Sequence, residues 1–119
     1  MTGLDHAILG LRQALDTPRR HRMWRWLVRH RMAAVKEALT AENGRGIDGW
    51  LAAREIGLHR EASQLLKRLT DLGPMVLEAP NVEPVRGELH RLLLDLERHR
   101  QHVNDLVYDS VLLELGGSV

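Results

Sequence analysis

The chain has 119 residues, 44% of them apolar, with 17 basic against 16 acidic side chains and no cysteine. That length and apolar content suit one domain, residues 1–119, with a modest core, and the near-zero net charge excludes a protein that binds nucleic acid with its whole surface. Without cysteine there is no disulfide framework, no thiolate metal site and no thiol nucleophile. The start of the chain, Met1 to His6, lacks the basic and then apolar run of a signal peptide. No segment approaches the ~18 apolar residues of a membrane span, so the expectation is a cytoplasmic protein with no membrane span. Fifteen arginines against two lysines suggest a GC-rich genome, and with three Trp, one Tyr and no Phe the packing must be mostly aliphatic.

Leu4, Ile8, Leu11 and Leu15 are spaced four, three and four apart and predict a short first helix. Thr17-Pro18 is read as its end and as the cap and first position of the next. Helix two is predicted from about Pro18 to Glu42, with Trp24, Leu27, Val28, Val35, Ala38 and Leu39 inward, and Asn43-Gly44-Arg45-Gly46 stops it. Asp48 is the expected cap of helix three, whose stripe is Leu51, Glu55, Leu58, Ala62, Leu65, Leu69 and Leu72. Gly73-Pro74 is expected to close that helix, because Pro cannot continue the turn. After a connector over 75–82, Pro84 opens helix four, which carries Val85, Leu89, Leu92, Leu96, His99, Val103, Leu106, Ser110 and Leu113 to Gly116-Gly117. No alternating strand pattern persists anywhere. The predicted fold is an all-α, antiparallel bundle of three long helices plus one short N-terminal helix.

Three ionisable residues, Arg31, Glu55 and His99, fall inside these apolar stripes, and a charge withheld from water needs a partner or a purpose. They are read as an interior polar cluster that fixes helix register. Folding helices three and four together brings Glu55, Leu58 and Ala62 towards the level of His99 and His102, within about one turn. A second use of the same region is ligand or metal binding, because Glu55 and His59, Asp95 and His99, and His99 and His102 share helix faces at spacings of four, four and three. The Glu-x-x-His pairs of di-iron bundles are missing, and no cofactor is called for. Arg31, Arg54-Glu55 and Gln101 resemble in residue type the polar interior of helical chorismate mutases, but not at that family's spacing, so no catalytic assignment follows. Nor is there a nucleophile elbow, a Gly-rich phosphate loop or a His-Glu-x-x-His motif.

Two surfaces complete the reading. Arg22, Arg25 and Arg29, with Lys36 and the marginal Trp26, line the outer face of helix two and suit weak contact with nucleic acid or another anionic surface. The balanced charge makes a solvated face the expected state and nucleic acid an unfavoured partner. Tyr108, Leu112 and Leu115, with Val111 and Leu113 beside them, give helix four a second apolar line, to be covered by the first helix or by a second copy of the chain. The run from His102 to Asp109 and on through Glu114 to Ser118 resembles the tails of uncharacterised small helical proteins of high-GC Gram-positive bacteria, with looser similarity over Trp24 to Leu39 and Trp50 to Leu77. The resemblance implies a bacterial cytoplasmic origin and no activity. The expected function is therefore non-enzymatic, by self-association as a dimer or by contact with another protein.

Overall fold

A computed structural model describes residues 2–18, 20, 22–43 and 52–117, with the backbone alone at 52, 53, 113, 114 and 117. The chain forms four helices, α1 (Gly3–Asp16), α2 (Trp24–Asn43), α3 (Ala52–Glu78) and α4 (Glu83–Gly117), and no strand among the described residues. The expected stop at Gly44 to Gly46, the Asp48 cap and Leu51 lie outside those residues.

Local chemistry sets most of the boundaries. Thr2 and Asp5 form a capping box at α1, with the Thr2 hydroxyl accepting from the Asp5 N–H at 3.1 Å and the Asp5 carboxylate accepting from the Thr2 N–H at 2.8 Å. Thr17 closes α1: its N–H donates to Ala14 O and its hydroxyl to Gln13 O, and among the described residues it accepts from no N–H of α2. The second helix begins at Trp24, six residues later than Pro18.

The second departure is at Gly73-Pro74, which α3 runs through to Glu78. A proline inside a helix removes one hydrogen bond and crowds the preceding turn, at a cost of about 3 kcal/mol. Two interactions beyond it offset that cost. Val76 is completely buried, and the Arg25 guanidinium of α2 donates to the carbonyls of Leu77 at 3.3 Å and Ala79 at 2.6 Å, satisfying the helix end. Gly73 lets the Arg29 side chain of α2 lie close against α3, because a Cβ there would come within 2.9 Å of Arg29 Cζ. At α4, the Asn81 side chain accepts from the Glu83 N–H at 3.1 Å.

Each helix packs on its neighbours in a ring: α1 on α2, α2 on α3, α3 on α4, and α4 on α1. The core is the buried set Leu4, Leu11, Leu15, Trp24, Val28, Met32, Val35, Leu39, Leu89, Leu92 and Leu96, with Ala62, Leu65, Leu69 and Val76 from α3. Cross-helix pairs run in opposite senses. Arg25 meets Leu77 and Ala79 while Asn43 meets His59; Arg54 meets Asp109 while Arg68 meets Asp95; and Asp5 meets Arg100. Successive helices therefore alternate in direction, giving a rod of 60 × 22 × 19 Å.

Asp5 anchors the start of α1 to α4, 3.0 Å from Arg100 Nη1, and Arg12 pairs with Glu97. Burial alone would raise the Asp5 carboxyl, but the Thr2 N–H, the Arg100 guanidinium and the Thr2 hydroxyl outweigh it and hold the group below its ordinary 3.8. These pairs also mark where α1 begins along α4. Arg100 thus lies at the level of the first turn of α1.

Candidate functional site

Of the three residues expected to share one interior layer, the structure buries one. His99 is 3% exposed, Glu55 is half-buried and Arg31 is exposed. The inward stripe of α2 passes through Trp24, Val28, Met32, Val35 and Leu39, so Met32 takes the interior position next to Arg31. Arg31 instead lies over α1, where a Cβ at Gly10 would stand 3.2 Å from its Nη1. The interior placement of Arg31 is thus wrong for a simple reason: an apolar neighbour one position away competes for the same interior space at no desolvation cost.

The partner of His99 is Glu61, a residue that the apolar stripes do not single out. His99 Nδ1 is 2.6 Å from Glu61 Oε1, and His102 Nδ1 lies 3.1 Å from both carboxylate oxygens, so a single carboxylate on α3 bridges two imidazoles on α4. With the Nδ1–H tautomer on both rings, Glu61 accepts from each. A signal for it exists in the sequence. Glu61 precedes Ala62, which helix pairing brings to the level of His99 and His102, and the three-residue spacing of those histidines offers two rings to one acceptor.

A second group lies nearer the start of α3, from two residues before Glu61. His59 Nδ1 is 2.5 Å from Asn43 Oδ1 and its Nε2 is 3.6 Å from Glu55 Oε1. The two groups border one small pocket lined by Glu42, Asn43, Glu55, Leu58, His59, His99, Val103 and Leu106. Its volume, about 50 Å³, accommodates a few waters and falls far short of the several hundred Å³ of a small-molecule site. Asp95, the remaining member of the expected metal set, is held 2.6 Å from Arg68. Among the described residues no three His, Asp or Glu side chains converge to hold a metal ion. Arg54 and Gln101 do not converge with Arg31 either: Arg54 pairs with Asp109 at 2.5 Å, and Gln101 donates to Asp105 at 2.9 Å.

The arginine face of α2 is largely engaged in structure. Arg25 caps α3, Arg29 lies against Gly73, and Arg22 is exposed before the helix begins. Trp26, 57% exposed, stacks on His30 with ring centroids 5.4 Å apart, so one of its faces is already covered. At the far end of α4, Tyr108 is 65% exposed, Leu112 49% and Leu115 62%, with Val107 and Val111 about half exposed beside them. Among the described residues, no helix is long and apolar enough to cross a membrane. Compared with known protein families, with curated proteins and with solved structures, the chain matches none.

Proposed function

We propose that the protein is a non-enzymatic helical bundle that acts by self-association, with the C-terminal part of α4 as its interface. The observation that carries this reading is that α1 begins beside Arg100, which leaves the apolar line Val107, Tyr108, Val111, Leu112 and Leu115 outside its reach. On the near side of Arg100 four helices surround the core; beyond it, among the described residues, α2 ends at Asn43 beside His59 and α3 begins at Ala52, close to where Arg54 meets Asp109, so the last turns of α4 have few neighbours. The gaps of three and four from Tyr108 through Val111 to Leu115 make a seam that a second copy of the same helix matches about a two-fold axis. With residue surfaces on the order of 150 to 250 Å², the exposed fractions leave roughly 500 Å² per copy, at the low end for a specific interface, which suits a dimer of micromolar affinity.

The arginine-rich composition and the lack of cysteine support placing such a protein in a bacterial cytoplasm. The binding of a ligand or metal at His59 and His99 is disfavoured by the 50 Å³ pocket. Sedimentation of the untagged protein over a micromolar range tests the reading. The expected mass is twice 13.6 kDa, falling to the monomer in Leu112→Glu/Leu115→Glu with helical circular dichroism retained. A wild-type chain that stays monomeric at high micromolar concentration refutes it. Unfolding of the double variant would assign those residues to the monomer core instead.

A further inference from the structure

At the opposite end of the rod, α1 ends, α2 begins and α4 begins around a pocket of about 650 Å³ lined by Asp16, Thr17, Arg20, Trp24, Arg25 and Arg86, with Pro18 and Val82. Among the described residues, three arginines and one carboxylate line it. Two of the lining residues also carry buried N–H groups that have no hydrogen-bond partner among the described residues, the Trp24 indole Nε1 and Arg86 Nε. Trp24, 1% exposed, is one of the residues that line this pocket. An orphaned buried donor costs about 1 to 3 kcal/mol, and two beside one surplus of positive charge call for an acceptor. The other orphaned arginine nitrogen, Arg100 Nε, is in a different situation, since Asp5 and Glu97 line the same pocket and supply the negative charge.

We propose that this pocket binds a phosphate monoester, whose terminal oxygens accept from Arg20, Arg86 and the Trp24 indole. A dianion with three terminal oxygens uses several guanidinium donors at once, where a carboxylate would leave some unmet. A hydroxyl on the organic part can donate to Asp16 while all three terminal oxygens stay on the guanidiniums, whereas inorganic phosphate would have to turn its own P–OH towards Asp16, which favours an ester. The volume is within the range of small-molecule sites. Arg25 contributes charge while its donors remain committed to the end of α3.

The test is a titration of the nitrogen-15-labelled protein followed at its indole N–H signals, with Trp24 assigned by Trp26→Phe and Trp50→Phe. Millimolar glycerol phosphate should move the Trp24 indole proton downfield to saturation, with inorganic phosphate several-fold weaker and glycerol or chloride inert. Arg20→Gln/Arg86→Gln should weaken binding by at least about tenfold, the loss of one charge-assisted hydrogen bond, while Arg98→Gln on the outer side of α4 should not. Arg20→Gln alone, outside any helix, serves if the double variant does not fold, and should weaken binding severalfold. An indole signal unmoved by glycerol phosphate overturns the proposal. So does an equal response to chloride, or undiminished binding in the arginine variants.

Discussion

Replacing Glu61 tests whether the carboxylate between His99 and His102 holds α3 to α4. In Glu61→Leu, His99 keeps its buried position and loses the 2.6 Å partner of its Nδ1, whereas His102, with 44% of its side chain exposed, recovers a hydrogen bond from water. The loss is then that of one buried group left unsatisfied, about 1 to 3 kcal/mol, or a fall in Tm of roughly 4 to 12 °C for a chain of this size. His99→Leu works differently. It removes the buried polar group itself, and Glu61, 31% exposed, retains His102 and solvent, so stability should change by less than about 1 kcal/mol. The double variant should resemble His99→Leu alone, giving a coupling as large as the Glu61→Leu effect, about 1 to 3 kcal/mol. Urea melts at one fixed protein concentration measure this, since a dimer adds stability that depends on concentration. Single effects that add to within about 0.5 kcal/mol would show that the pair carries no coupling and that His99 is satisfied some other way.

Asp5 has a depressed carboxyl in the fold, so its contribution is complete above its unfolded value near 3.8 and is lost as pH falls through the lower folded one; Asp5→Asn should lower stability at neutral pH and flatten the acid limb of a pH–stability curve, and an unchanged acid limb would dismiss the Arg100 contact. Gly10→Ala should stabilise by about 0.5 to 1 kcal/mol in thermal melts, because the atom a Cβ meets is the far end of the exposed Arg31; destabilisation would mean that Arg31 is fixed against α1. Arg25→Gln should destabilise by about 1.5 to 3 kcal/mol, the range for hydrogen bonds to a charged donor, and speed amide exchange near Ala79, whereas no change would leave the end of α3 without the cap inferred for it.

The helical class was legible because leucines recur every three or four residues over long stretches, and all four helices follow from that rhythm. Assigning one residue to a face was less secure, as Arg31 and Met32 show: both fit a three-or-four gap from Val28, and the desolvation of a guanidinium decides between them. Boundaries failed where a long-range partner overruled local chemistry. Pro74 reads as a stop until Arg25, 54 residues away from Ala79, supplies the donors that let α3 go on. Glu61 is easily overlooked because a carboxylate bordering an apolar stripe looks solvated until the register of α3 against α4 is known. The Trp24 pocket had little sequence signal: Arg25 belongs to the arginine-rich stretch, but Arg86 joins it from the start of another helix.

The apolar end of α4 and the arginine-lined pocket stand at opposite ends of a 60 Å rod, with the packed core between them. The core between them is closely packed leucine and valine, and coupling between distant sites requires an element with two discrete arrangements. Joining two copies through α4 therefore leaves both pockets at the outer ends, each contacting its own chain alone. Glycerol phosphate should bind without cooperativity, and with the same affinity in the Leu112→Glu/Leu115→Glu monomer as in the dimer. Titration calorimetry on both proteins checks this. A shift in affinity between them would require, by linkage, that the ester move the dimerisation equilibrium by the same factor. Sedimentation with and without the ester measures that second quantity directly, and a matching shift in both would refute the picture of a rigid rod with independent ends.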